Sequence, residues 1–141
     1  SAITRHSVRS NIEADSVNCA LLLPGHAADS EVVQLLAREV AREMTVKSGQ
    51  KCTAIRRVLV PQALYDSVAQ AIAAQLTKVV AGNPRNDSVR MGSLVSREQY
   101  AVVQQGLAQL LQHTTALHDG RGNALVDADP AIAACAQPVL L

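Results

Sequence analysis

The chain has 141 residues, 48% of them hydrophobic, and a formal net charge of +1. That size and composition suit one globular domain or a part of one. So small a charge gives no electrostatic footprint for nucleic acid or an anionic membrane, and no run approaches the roughly 18 apolar residues that span a bilayer.

In chain order, "SVNCALLL" (16–23) is short, apolar and followed by Pro24-Gly25, the pattern of a buried strand. Asp29 or Ser30 can cap the helix that follows. Its stripe is Val32, Leu36, Val40 and Met44, widened by Val33, Ala37 and Ala41, and it should fade near Lys47 with Gly49 as its stop signal. "RRVLV" (56–60) reads as a strand ending at Pro61. Residues 63–80 form a second amphipathic helix with the stripe Tyr65, Val68, Ile72, Leu76 and Val79, stopped by Gly82 and Pro84.

Residues 85–95 are loop. Ser96 and Gln99 make a capping-box pattern for a third helix, with Tyr100, Val103, Leu107 and Leu110 on one face. "HTTALHDG" is a weak strand and turn, residues 121–136 are mostly loop, and the chain closes on the strand-like "AQPVLL". Strands alternating with helices predict an α/β layer with a mainly parallel sheet and flanking helices. Phe and Trp are absent and only Tyr65 and Tyr100 are aromatic, so an aliphatic core of low area per residue is expected to pack against more protein. The apolar final run and the missing initiator Met lead to the same expectation, a segment of a longer polypeptide.

Cys19, Cys52 and Cys135 are odd in number and dispersed, without a Cys-x-x-Cys pair. They support neither a disulfide framework nor a zinc knuckle, and a reducing cytoplasm is the expected compartment. Cys19 and Cys135 fall in apolar stretches and are expected to pack. His6, His26, His113 and His118 stand at no metal-ligand spacing and read as surface residues, so no metal is expected. Neither G-x-G-x-x-G nor G-x-x-x-x-G-K-[ST] occurs.

Cys52 differs from the other cysteines. It lies in "VKSGQKCTAI", a polar hinge between a helix and a strand. A nucleophilic thiolate needs a positive or dipolar setting and access to substrate. Lys51, Arg56 and Arg57 offer charge, and the small residues around Cys52 leave room for backbone N–H groups to meet an oxyanion. The residues alone leave two readings open, a nucleophile or a small hydrophobe in a loop. A partner for proton transfer would come from carboxylates such as Glu13, Asp15, Asp29, Glu31, Glu39 or Glu43. Glu13 stands apart because it precedes a strand, where site residues gather on loops.

"EMTVKSGQKCTAIRRVLVP" resembles the nucleophile segment of the aldehyde dehydrogenase superfamily, with its Gly-Gln-x-Cys core. "VVAGNPRNDSVRMGSLVSREQ" is similar to that family's Gly-Asn/Asp-Pro turn and later Gly-x-Leu segment. "EADSVNCALLLP" is nearer to the branch that joins a semialdehyde dehydrogenase of phenylacetate degradation to an oxepin-CoA hydrolase domain. A sister branch acts on dehydroadipyl-CoA semialdehyde in benzoyl-CoA oxidation. The resemblance implies that residues 1–141 are part of the nucleophile-bearing catalytic domain, with the dinucleotide-binding and hydrolase domains outside the chain. It implies Cys52 as nucleophile and Glu13 as general base. It also implies NADP or NAD as cofactor, a CoA-linked semialdehyde as substrate, and a homo-oligomeric parent. The segment alone should then be inactive. "EADSVN" departs from the common Glu-Leu-Gly-Gly-Lys form of the base motif. The competing class is a self-contained α/β assembly module with a structural Cys52.

Overall fold

The computed structural model describes residues 16–141; His6, Glu13 and Asp15 lie outside them. The elements are β1 (Asn18–Leu21), α1 (Glu31–Thr45), β2 (Ile55–Leu59), α2 (Tyr65–Leu76), α3 (Arg97–Leu110), β3 (His118–Asp119) and β4 (Val139–Leu140). β1 and β2 pair in parallel around the α1 crossover, and β3 pairs antiparallel with β4. Parallel bridges join Ala81 to Met91 and Gly82 to Val126. The mixed α/β class therefore agrees with the sequence pattern. The final antiparallel ladder departs from the expected parallel pattern, because it forms between residues 20 and 22 apart with loop between them.

α1 starts where Ser30 Oγ accepts the Val33 N–H, so Ser30 and not Asp29 is the cap. Its buried face is Val33, Ala37, Val40, Ala41 and Thr45. That face is rotated from the fourfold stripe read in the sequence, and Val32 is 42% exposed. The rotation follows from the small Ala37 and Ala41, which let α2 approach closely and bury Val68, Ile72 and Leu76. Leu22 and Leu64 complete this core, with Ala20, Ile55 and Val58 against it.

α2 stops at Leu76, short of residue 80. Thr77 Oγ1 donates back to the Ala73 carbonyl, and the Val80 carbonyl is engaged by the N–H groups of Arg90 and Met91. A continued helix would forfeit those two bonds. α3 begins at Ser96, whose Oγ accepts the Gln99 N–H at 3.1 Å. None of its residues is buried; Tyr100 and Val103 lean on a small cluster of Leu94, Ala134 and Ala136.

β1 alternates rather than being buried on both faces. Ala20 and Leu22 face the helices, while Cys19, Leu21 and Leu23 point away and are exposed. Cys19 thus does not pack as expected, because α1 and α2 cover one face of the sheet only. Cys135 does pack, and burial pushes its thiol up from the ordinary value. His26 and His113 are exposed, whereas His118 is half-buried in β3 with its Nε2 enclosed and without a hydrogen-bond partner among the described residues.

Candidate active site

The hinge carrying Cys52 is built by an unusual helix ending. Thr45 Oγ1 donates to the Ala41 carbonyl at 2.8 Å, and Lys47, Ser48 and Gly49 then adopt left-handed backbone with φ of 53°, 56° and 71°. Only glycine enters that region freely, and each of the other two costs roughly 1–2 kcal/mol. The strain is held by long-range contacts. Ser48 is buried and donates to the Gly92 carbonyl at 2.8 Å. The Gln50 carboxamide donates to Lys47 O at 3.1 Å and Ser93 O at 3.4 Å, and accepts the Val95 N–H at 2.8 Å. Ser48 and Gln50, on either side of Gly49, thus clamp the hinge onto the 92–95 loop.

Beyond Gln50 the chain turns once more, with the Ala54 N–H on the Lys51 carbonyl at 3.1 Å, and Cys52 sits exposed on this turn. Glu43 of α1 reaches both neighbours of the cysteine. One oxygen lies 2.8 Å from Lys51 Nζ, and the same oxygen accepts from Thr53 Oγ1 at 3.4 Å. The hydrogen bond from Lys51 leads the causes that hold the Glu43 carboxyl below its usual value. Arg56 donates to the Gly49 carbonyl at 2.9 Å. Two of the three cations read as a positive setting for the thiol are therefore engaged with other groups.

On the other side, Asn18 of β1 and Ser16 just before it hold the backbone of the cysteine itself. Ser16 Oγ donates to the Cys52 carbonyl at 2.6 Å, and the Asn18 carboxamide nitrogen donates to the same oxygen and to Ala54 O at 3.3 Å. The N–H groups of Cys52 and Thr53 have no partner among the described residues. This leaves two donors beside an exposed thiol, the arrangement that can receive a developing oxyanion. Cys52 is where the sequence placed it, between helix and strand. Glu13 lies outside the described residues, so its distance to Cys52 is not part of this geometry. Glu43, one of the candidate carboxylates, binds the two neighbours of Cys52 rather than the thiol. Ser16, Asn18 and Gln50 are not singled out by the sequence, because their partners at the site lie 34 to 45 residues away. Only Gln50, inside Gly-Gln-x-Cys, carried a local signal.

Among the described residues no group of three or more His, Cys, Asp or Glu side chains could hold a metal ion. Nor do they fit a dinucleotide. β1 runs into Pro24-Gly25 and reaches α1 only at Glu31, without the glycine-rich turn that places a pyrophosphate on a helix N-terminus.

The aldehyde dehydrogenase family profile matches residues 5–141, nearly the whole chain. The chain belongs to the aldehyde dehydrogenase family. It is 46% identical over 140 residues to the 3,4-dehydroadipyl-CoA semialdehyde dehydrogenase of Aromatoleum evansii, covering 99% of this chain and 27% of that protein. A putative aldehyde dehydrogenase of Staphylococcus aureus strain MSSA476 is 38% identical over 71 residues, covering 48% of this chain and 15% of the relative. Among solved structures, the NADP-dependent glyceraldehyde-3-phosphate dehydrogenase of Bacillus halodurans C-125, complexed with NADP, superposes with a TM-score of 0.62 at 25% identity, covering 83% of this chain and 25% of that one. Aldehyde dehydrogenase C of Pseudomonas syringae, in a mutant form complexed with NAD+ and octanal, shares the fold with a TM-score of 0.66 at 20% identity, covering 77% and 22%. This aldehyde dehydrogenase chain spans about a quarter of the length of the Aromatoleum relative.

Proposed function

We propose that the protein carrying this chain is an NAD(P)-dependent aldehyde dehydrogenase that oxidises a CoA-linked semialdehyde to the acid. The observation that carries the reading is an exposed cysteine on a multiply tied turn that follows a strained helix ending, inside a chain 46% identical to a CoA-semialdehyde dehydrogenase. The Cys52 thiolate adds to the aldehyde carbon and gives a thiohemiacetal. The Cys52 N–H lies beside the oxyanion so formed. Oxidation of the thiohemiacetal to a thioester on Cys52 needs a hydride acceptor, the chemistry that NAD(P)+ would supply from parts outside this chain. Glu13 takes a proton from water, which hydrolyses the thioester and restores the thiol.

The Aromatoleum relative supports dehydroadipyl-CoA semialdehyde as substrate. The "EADSVN" segment supports the semialdehyde of the phenylacetate branch. We place the enzyme in the cytoplasm as a homo-oligomer; the apolar residues left open on this chain, among them Val95 at 83% and Ile132 at 74% exposure, fit packing against further protein. The 141-residue segment by itself should not turn over.

The test is made on the full-length protein with both CoA semialdehydes. Cys52→Ser should abolish nucleotide reduction. Glu13→Gln should keep a single-turnover burst while steady-state turnover falls by roughly 10²–10⁴-fold, the contribution of a positioned base. Normal turnover by Cys52→Ser would return the cysteine to a packing role. The ratio of kcat/KM for the two substrates decides between the branches.

A further inference from the structure

We infer that Asn18 is a positioning residue for the nucleophile. It sets the aim of Cys52 through the cysteine's own carbonyl group, with Ser16 as its second donor. This inference rests on the nucleophile role proposed above for Cys52.

The parallel ladder between β1 and β2 is regular from Cys19↔Arg57 to Leu21↔Leu59, but slips between Asn18 and Cys19, where Asn18 stands against Ile55 and Arg56 is passed over. A bulge of this kind disrupts the ladder locally and re-aims a side chain. Cys52 lies three residues before β2, beyond the end of the ladder. Among the described residues its carbonyl accepts from side chains, not from backbone donors of β1. The Asn18 nitrogen donates to the carbonyls of Cys52 and Ala54 (the latter at 3.3 Å), and Ser16 Oγ donates to Cys52 at 2.6 Å. The neighbours of this nitrogen are two carbonyl oxygens and the Ser16 hydroxyl, so the carboxamide is oriented with its donors toward the turn.

Rotation of the 52–53 peptide is thereby opposed by two donors on one oxygen. That peptide also carries the Thr53 N–H, one of the donors without a partner among the described residues. Fixing it fixes both the thiol and part of the oxyanion site. In sequence, Asn18 follows Glu13 closely.

The experiment uses the full-length enzyme in a Cys19→Ser background, since Cys19 is exposed and would react with thiol probes. Asn18→Asp keeps the shape but turns donors into acceptors facing carbonyl oxygens. Asn18→Ser keeps one shorter donor and serves should the aspartate variant fail to fold. The readouts are kcat, KM and the rate of Cys52 alkylation by iodoacetamide. Misplacing a reacting group by about an ångström costs roughly 10²-fold, so kcat should fall by that order in Asn18→Asp while KM stays within a factor of about two. Alkylation of Cys52 should change in step, and Asn18→Ser should fall between that variant and the parent. A folded Asn18→Asp or Asn18→Ser enzyme with the parent's kcat overturns the inference. So does a loss that appears equally in KM and in thermal stability, the mark of a merely structural role. Cys52→Ser in the same background separates the two ideas: full activity there sinks the nucleophile reading itself, whereas an inactive Cys52→Ser beside fully active Asn18 variants sinks only the positioning role.

Discussion

Replacing Gly82 by alanine should unfasten the crossing at which three segments meet. Gly82 follows α2 at a φ of 155° and pairs in parallel with Val126. A Cβ there would lie 2.1 Å from the Val126 carbonyl oxygen and 2.7 Å from its nitrogen. Ordinary contact begins near 3.4 Å, so the strands must part by more than an ångström. Neither side can yield by rotating a side chain, because the opposing atoms are backbone. The separation breaks or stretches the bonds Asn83 N–H to Val126 O (2.9 Å), Val126 N–H to Ala81 O (3.0 Å) and Gly82 N–H to Met91 O (3.1 Å). At about 1 kcal/mol net for each, the loss is about 3 kcal/mol. Gly106, inside α3, is the matched control. A Cβ there meets nothing within 4 Å. Gly106→Ala should stabilise the helix by about 1 kcal/mol through propensity alone. Urea denaturation of the full-length protein should shift the midpoint down for Gly82→Ala and slightly up for Gly106→Ala. Two midpoints that move together, or an unshifted Gly82→Ala, would refute the argument from backbone contact.

Ile72 is 2% exposed between α1 and α2, so Ile72→Ala should cost roughly 2–5 kcal/mol by leaving a cavity in the main core, measurable in the same denaturation series. Asp119 is bonded by the Arg121 guanidinium and backbone N–H, which hold its carboxyl down from 3.8 to about 2. A depressed carboxyl stabilises the fold above its unfolded value and loses that contribution as pH falls from about 3.8 toward 2. The pair is 41% and 35% exposed, so solvent screening limits the contribution to a few tenths of a kcal/mol. Asp119→Asn should flatten that acid limb and leave stability at neutral pH nearly unchanged, and an unaltered acid limb would show that the ion pair contributes nothing.

The sequence by itself determined the elements and the place of the cysteine. Apolar spacing is a local property, and it marked α1, α2 and α3 because a helix repeats its face within a few residues. Ser30 and Ser96 mark helix starts for the same reason, since a cap bonds only to the next turn. The hinge motif around Cys52 was legible because Gly-Gln-x-Cys is contiguous. Tertiary structure decided the rest. The left-handed run at Lys47 and Ser48 exists only because Gly92, Ser93 and Val95 accept or donate from 43 to 45 residues away. Cys19 is exposed because helices cover one face of the sheet, which its alternating neighbours could not reveal. The bond from Asn18 to Cys52 joins positions 34 apart, across a bulge that no local propensity encodes. Spacing along a chain records what bonds to near neighbours; which strand meets which turn is fixed only when the core between them has closed.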